Sequence, residues 1–598
     1  MAQSSPQPVP TSAHQASPPV AQPRIMADLI VDYLDLFGTE HVFGVPGGHI
    51  TALYEALDSS EQRGGPRAII TRHETGAMFM AAGYARETGK LGACCATTGP
   101  GASNLVTGVV TTSADHCPVL IISGQSPLAF AGRGALQESS PHLRYPDNAD
   151  SLSMLHSCTR YNDLVSGPNQ LENKLAAAIT EAMRPLRGPV HLSIPPEVLK
   201  APAPDSIAYP KLAELLMAPQ SFVDSVAFEK LWTRLQSVLE AGQKVVIYVG
   251  HEAGPAKDDL AAFASLIDAR LITTQRGKTW VDSYHPQSRG VFGGWGHSTA
   301  RDALSDPQTG LILAVGTAMG QLATAIWDPV LMNDRLVHIH PTDTYFARTP
   351  MAALQVCGTL KLVFEQLIDR TKAQYQQKFA PTSPPPNGHA VPHPYPPAQL
   401  AIKGLDAYDN DQSPIKPQRL VRELSDRFPA ETRFVIDNGN CLSWSTHFMF
   451  SRHIHNYRWS LGQPSMGWAV GTAVGVALAE PGMPVVCLVG DGSYLMYGQE
   501  ITVAVEENLP VIFVLLNDQA YGMIKHRHRQ TSDHAQDYLI RTPVDFAMMA
   551  RSVGAQGLTI RTVEDLISLD YGALCQRPGP TLLDVYIDPE EAPPLGVA

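Results

Sequence analysis

An α/β chain of three doubly wound parallel-sheet domains is the architecture that this sequence predicts. Two observations carry it. Short apolar runs rich in Val, Ile and Leu recur along the chain. Each ends in Gly, Pro or a polar turn, and helical periodicity follows most of them. The runs fall into three blocks separated by two segments of different composition, and 598 residues suffice for three or four domains with ample cores. Such sheets host many chemistries, so function must be argued from particular residues.

Taken in order, residues 1–23 are rich in Pro, Ser, Gln and Ala and contain no Lys or Arg, which predicts a disordered tail and not a secretory leader. The first block, 24–200, carries VFGVPGG, RAIITRHE, GACCATTGPGASN, PVLIISGQ and GPVHLSIP. Residues 201–220 read as a linker. The second block, 221–372, repeats the pattern with KVVIYVG, ARLITTQ, GLILAVGT and RLVHIHP. The Pro-rich stretch within 373–415 predicts an exposed connection that builds no core. The third block, 416–590, carries FVIDNGN, VVCLVGDGS, VIFVLLND and PTLLDVYI.

A net charge of −13 without any basic stripe argues against a nucleic-acid partner. No window approaches 18 uninterrupted apolar residues, so no membrane span is expected. The eight cysteines are scattered, several inside apolar runs, which fits reduced thiols in a cytoplasmic protein.

The densest chemical signal lies in the third block. Gly490-Asp491-Gly492-Ser493 ends one apolar run, and Asn517-Asp518 ends the next, with 24 residues from Ser493 to Leu516 between them. Two strands in one such unit are expected to be parallel, with a right-handed crossover, so both motifs belong at strand carboxyl ends. Neighbouring strands lie about 4.8 Å apart, which lets Asp491 and Asp518 reach one ion. Oxygen ligands of this kind suit Mg²⁺, which keeps positions for a phosphate. The glycines let the backbone approach that phosphate, and Ser493 is expected to open a helix whose N-terminus favours an anion.

This spacing resembles the motif of the thiamine diphosphate-dependent enzymes. Over nearly the whole chain, the order of motifs is similar to their acetolactate synthase-like branch. The resemblance implies a pyrimidine-binding first domain, a middle domain and a diphosphate-binding third domain, with thiamine diphosphate and Mg²⁺ as cofactors. It implies Asp491, Asp518 and the carbonyl of Ala520 as metal ligands. Asp518 stands where relatives carry Asn, a change that keeps an oxygen ligand. Gly490, Gly492, Ser493, Tyr521, Gly522 and Met523 are implied as cofactor contacts. So are Asn438, Gly439 and Asn440 of DNGNCLSW, together with Pro46, Asn104 and Gln125 of the first domain.

Glu74, in TRHETGAMFM, matches the glutamate that activates the cofactor by sharing a proton with its pyrimidine ring. Read alone, it is better taken as a first-turn acid on a helix N-terminus; the rest of the pattern turns the reading to catalysis. Met466, in GQPSMGWAVG, matches the apolar residue that holds the cofactor bent; read alone, it is a core methionine. TTGPGASN is either a cofactor contact or a plain tight βα turn.

Departures cluster in the half of the site that would take a second substrate. Relatives carry AFQE where this chain reads ALQE, so Gln137 is kept as a catalytic candidate while Leu136 replaces an aromatic. The RFDDR-like stretch tied to flavin is replaced by VGTAMGQLATAIW, which removes the sequence support for FAD. The family's Lys after the GPV…IP strand is Pro196. Arg527 falls at the position of a substrate-contacting Trp, where it is either a carboxylate clamp or part of a solvated basic loop.

The resemblance thus implies a 2-oxo acid decarboxylating carboligase. It would take pyruvate as donor, add the resulting carbanion equivalent to a carbonyl acceptor, and work as a homodimer or homotetramer. Two other readings stay open at this level. One is a non-ligating 2-oxo acid decarboxylase, although the His-His pair of pyruvate decarboxylases is replaced by HLR at His142. The other is a non-catalytic cofactor-binding relative, against which Glu74 and Asp491 stand.

Overall fold

The computed structural model describes residues 23–139, 150–218, 221–375, 396–451, 453–534 and 536–594. The expected tail, apart from residue 23, and His142 lie outside the described residues. Three six-stranded sheets form, and every strand pairing within them is parallel. The first contains β1 (His41–Gly44), β2 (Arg67–Ile70), β3 (Gly92–Ala96), β4 (Val119–Gly124), β5 (Asn162–Leu164) and β6 (Val190–Ile194), in the order β2-β1-β3-β4-β6-β5. The second contains β7 (Lys244–Val249), β8 (Arg270–Thr273), β9 (Ser288–Val291), β10 (Thr309–Val315), β11 (Leu336–His340) and β12 (Leu354–Cys357), in the order β12-β11-β10-β7-β8-β9. The third contains β13 (Arg433–Ile436), β14 (Tyr457–Arg458), β15 (Val485–Gly490), β16 (Val511–Asn517), β17 (Gln556–Ile560) and β18 (Thr581–Tyr586), in the order β14-β13-β15-β16-β18-β17.

The first and third sheets share one strand order, whereas the second winds outward from a central β7–β10 pair. Ligands of open α/β sheets bind beyond the carboxyl ends of strands where the winding reverses. Those switch points are β1/β3 in the first domain, β7/β10 in the second and β13/β15 in the third.

The first and third domains share one hydrophobic core. At its centre, helix Glu74–Thr88 lies against helix Trp468–Ala479. The second helix reads WAVGTAVGVALA and is apolar all round, as a helix buried on every side must be. Their close approach rests on glycine. A Cβ at Gly475 would overlap the carbonyl oxygen of Met80, and one at Gly83 would lie 2.6 Å from that of Thr472. At the far end of the first helix, buried Glu87 pairs with Arg433 (2.9 Å) and Arg458 (2.6 Å) of the third domain. Burial works against that charge, but Arg458, His455 and Arg433 together hold the carboxyl below its usual range.

The middle domain is tied to the third by Lys278, whose buried Nζ donates to the carbonyls of Ser445 (2.9 Å) and Thr446 (2.8 Å). Those carbonyls belong to the last turn of helix Asn440–Phe448, where a cation is favoured. Burial lowers the ammonium to about 7.

Three expectations need correction. The 201–220 linker contains a helix, Leu212–Met217. The described part of the Pro-rich connection, 396–415, does contribute to a core: Leu400, Tyr408 and Ile415 are buried in the third domain, because this stretch supplies apolar side chains where proline thins out. The helix after the GDG turn begins at Asp491, not at Ser493, and the segment up to β16 breaks into helix Asp491–Tyr497, a 3₁₀ turn at Gly498–Glu500 and helix Ile501–Glu506. No helix among the described residues is long and apolar enough to cross a membrane.

Gly475→Val should lower stability by about 2–3 kcal/mol through overpacking, read as a fall in the thermal unfolding midpoint. Gly572→Ala, whose Cβ would meet only an ordinary 3.5 Å contact, is the control and should change little.

Candidate active site

The third-domain half of the site forms at the β13/β15 switch point and reaches β16. In the β15–β16 register Gly490 stands opposite Leu516, so Asp491 and Asp518 emerge side by side beyond the strand ends. Asn517 turns the other way and donates to Asp584 of β18 at 2.8 Å, which leaves Asp518 as the residue facing Asp491. Each carboxylate is oriented by backbone amides. Asp491 accepts from Gly492 (2.6 Å) and Gln519 (2.7 Å), and Asp518 from Ala520 (3.2 Å). Burial pushes both carboxyl groups up, and the Asp518 charge pushes Asp491 up further.

Buried Asp491 and half-buried Asp518, adjacent beyond the strand ends, are a donor set that would fit a divalent cation with positions left for a phosphate. Among the described residues no cluster of three or more His, Cys, Asp or Glu side chains is built to hold a metal. An ion held here would need ligands beyond these two side chains, such as a cofactor phosphate. Space is left for that phosphate. Gly439 (φ +83°) and Gly490 have nothing within 4 Å of where a Cβ would stand. Gly522 is the opposite case, since a Cβ there would overlap Asp518 Oδ2 and lie 2.8 Å from Asn440 Nδ2.

Other expected residues support this half in specific ways. Asp437 is fully buried and accepts from Gly467 (2.9 Å) and Ala469 (3.1 Å), capping helix Trp468–Ala479. Burial raises that carboxyl to about 6, with Ser493 and these backbone amides pulling it back down. Asn438 donates to the Ser465 carbonyl (2.6 Å) and so fixes the turn that presents half-buried Met466. The Tyr521 ring packs over Gly492, and Met523 follows in helix Gly522–Thr531.

The first-domain half forms at the β1/β3 switch point. Glu74, only 7% exposed, is the first residue of its helix. Asn104 donates to Glu74 Oε2 at 3.0 Å, which gives the TTGPGASN turn a concrete task. Pro46 is exposed just past β1. Gln125 is buried and its amide is spent inside the protein, donating to the Ser139 carbonyl (2.5 Å) and accepting from Ser126 N (2.8 Å). Gln137 is exposed at φ +58°, its carbonyl accepting from Thr98 Oγ1 at 3.2 Å. Its neighbour Leu136 is 85% exposed.

Glu500 was not among the sequence candidates. It reaches from the third domain to accept from the backbone N–H of Arg72 at 3.2 Å, just before Glu74. It is fully buried, burial raises it to about 7, and its second oxygen has no partner. The available signal was one acid set into the apolar run after the GDG turn. No hydrogen bond or ion pair among the described residues joins Glu74 or Gln137 to Asp491, Asp518 or Met466.

Two larger cavities flank these half-sites. One of about 530 Å³ lies at the middle-domain switch point, with Arg276, Tyr345 and Arg348 in its wall. Another of about 390 Å³ lies between the 319–327 loop and helix Gly522–Thr531, with Arg527 in its wall.

The comparisons with known proteins agree with this layout. Residues 24–143 match the N-terminal TPP binding domain of thiamine pyrophosphate enzymes, 233–367 their central domain and 437–585 their C-terminal TPP binding domain. The chain belongs to the thiamine pyrophosphate enzymes. Acetolactate synthase isozyme 2 large subunit of Escherichia coli (strain K12) is 29% identical, covering 94% of this chain and 95% of its own length. The acetolactate synthase large subunit of Haemophilus influenzae is 29% identical over the same shares. A probable acetolactate synthase large subunit of Methanocaldococcus jannaschii is 28% identical, covering 95% and 93%. This thiamine pyrophosphate enzyme is a carboligase of the acetolactate synthase type.

Gly522→Ala should weaken thiamine diphosphate binding by about tenfold or more, because the new methyl displaces Asp518 from its place beside Asp491. Titration calorimetry reads the loss, and an unchanged circular dichroism spectrum shows that the fold survives.

Proposed function

We propose that this enzyme decarboxylates a small 2-oxo acid, pyruvate first, and joins the resulting two-carbon unit to a carbonyl acceptor, holding its cofactor through Mg²⁺. The observation that carries this reading is the facing pair of buried Asp491 and half-buried Asp518, each oriented by backbone amides at the ends of adjacent strands. When bound, thiamine diphosphate supplies a carbon acid and an electron sink for CO₂ loss.

The chain's own residues do the rest. Asp491, Asp518 and the Ala520 carbonyl hold the metal. Asn438, Gly439, Asn440, Gly490 and Gly492 line the space left for the diphosphate. Met466, fixed by Asn438 through Ser465, braces the cofactor from the turn before its helix. Glu74, held by Asn104 and shielded from water, moves a proton at the pyrimidine ring. Gln137 stands at the mouth of the first-domain half, with Leu136 beside it. Gln125 orders the loop that carries both. The 319–327 loop has lost the charged run that accompanies flavin, and this reading routes no step through FAD.

A homodimer follows from the same geometry. The two half-sites do not meet through any bond among the described residues, and Leu136 projects into open space, so a second copy would complete each site. Small-molecule substrates and a cytoplasmic location accompany this reading; neither nucleic acid nor membrane enters it.

Incubation with thiamine diphosphate, Mg²⁺ and pyruvate, followed by mass spectrometry, is the direct test. A 2-hydroxy-3-oxo acid or an acyloin supports ligation, whereas free aldehyde alone overturns it. Glu74→Gln should slow H/D exchange at the cofactor's reactive carbon by about 100-fold or more; exchange at the wild-type rate removes Glu74 from its role. Mixing inactive Glu74→Gln with inactive Asp491→Asn should restore activity if each site draws on two chains, and should restore none if one chain suffices.

A further inference from the structure

We infer that the cavity between the 319–327 loop and helix Gly522–Thr531 is the acceptor pocket, and that it is built for a 2-oxo acid with an aromatic or branched apolar side chain. The inference rests on the reaction proposed above and names the acceptor that the reaction leaves open.

Four observations lead to it. The cavity adjoins the metal side of the site, because Asn440 and Met523 belong to both. Its walls come from two domains and are mainly apolar, with Trp295, Leu322, Ala325 and Ile326 on one side and Met523 and Ile524 on the other. At about 390 Å³ it greatly exceeds the needs of a methyl or ethyl group. Its polar side chains are Gln321, Asn440, Ser443, Arg527, Gln530 and Thr531. Asn440 Oδ1 and Ser443 Oγ are buried with no hydrogen-bond partner, and Arg527 stands in the wall as the single guanidinium.

The rim is strained but well held. Ala325 (φ +51°), Ile326 (φ +61°) and Trp327 (φ +56°) are consecutive left-handed residues, and a β-branched residue rarely adopts that conformation. Thr324 Oγ1 donates to the Gly320 carbonyl (3.1 Å) and accepts from Trp327 N (2.9 Å), which locks the turn. The turn presents Ile326, more than half exposed, at the cavity edge, where bare apolar surface marks a binding surface.

In the reaction, pyruvate loses CO₂, and the electron pair left on its carbonyl carbon forms a C–C bond to the acceptor's carbonyl carbon. The acceptor oxygen takes up a proton and becomes a tertiary hydroxyl. The balance is pyruvate plus R–CO–COOH giving CO₂ plus CH₃–CO–C(OH)(R)–COOH. Arg527 pairs with the acceptor carboxylate, Ser443 and Asn440 meet its carbonyl oxygen and the hydroxyl that forms there, and the apolar wall takes R.

The test uses the full-length enzyme with thiamine diphosphate, Mg²⁺ and pyruvate, and compares pyruvate, 2-oxobutanoate, 4-methyl-2-oxopentanoate and phenylpyruvate as acceptors. Each methylene accommodated in an apolar pocket changes discrimination by about 10–200-fold. The two large acceptors should therefore exceed 2-oxobutanoate in kcat/KM by at least about tenfold. Ile326→Asp and Leu322→Arg should each reverse that order. Arg527→Ala should raise KM for phenylpyruvate while leaving KM for phenylacetaldehyde, which lacks the carboxylate, little changed. An enzyme that makes acetolactate from pyruvate but ignores every larger acceptor overturns this inference and leaves the proposed function standing. The same holds if neither wall variant alters the ratio. An enzyme with no exchange at the cofactor's reactive carbon and no CO₂ from pyruvate takes both down.

Discussion

The backbone-to-backbone approach of helices Glu74–Thr88 and Trp468–Ala479 is the constraint on which the rest of this molecule depends. Glycines let each helix surface meet the other's carbonyls, and the apolar side chains around them merge the first and third domains into one core. Glu74 is the first residue of one of these helices, and Met466 and Gly467 lie just before the other. Any slip along this contact would move both half-sites. Glu87 pins one end of the contact through Arg433 and Arg458, and Glu500 holds the turn at the other.

Within the third domain the opposing constraint is electrostatic. Adjacent parallel strands end in two acids that face each other, and the protein offers them backbone amides and, on the Asp518 side, the Lys525 ammonium, which is itself paired with Glu590. Burial and mutual repulsion make this arrangement costly. A divalent cation between the two acids would relieve it. The middle domain contributes at a distance. Lys278 holds the carboxyl end of the helix whose amino end presents Gly439 and Asn440, so the position of that helix depends on two domains at once.

Much of this was legible in the sequence, and the reason is physical. Strand-helix alternation, Gly-ended apolar runs and the GDG-to-Asn-Asp interval are local patterns, and parallel pairing follows from them. The β15–β16 register places Asp491 and Asp518 as that pattern implies. Residues whose meaning depends on what they meet were less legible. Gln125 reads as a cofactor contact but spends its amide on Ser139 and Ser126. Ser493 reads as a helix opener, but the helix begins two residues earlier, at Asp491. Glu500 reads as one acid among many in its segment, and only the packing of a distant helix makes it a support for Glu74. Residues 396–415 read as an exposed connection because proline dominates the count, yet their few apolar side chains find a core.

The sequence by itself determined the three-block α/β plan, the acidic pair at the strand ends and the kinship with thiamine diphosphate enzymes, because these depend on spacing along the chain. Only the tertiary structure decided how the domains lock together, which polar side chains serve the scaffold, and how the 319–327 loop and helix Gly522–Thr531 enclose an apolar cavity. Those outcomes depend on contacts between residues far apart in the chain, where burial, close approach and unmatched charge are set by the partner and not by the neighbour.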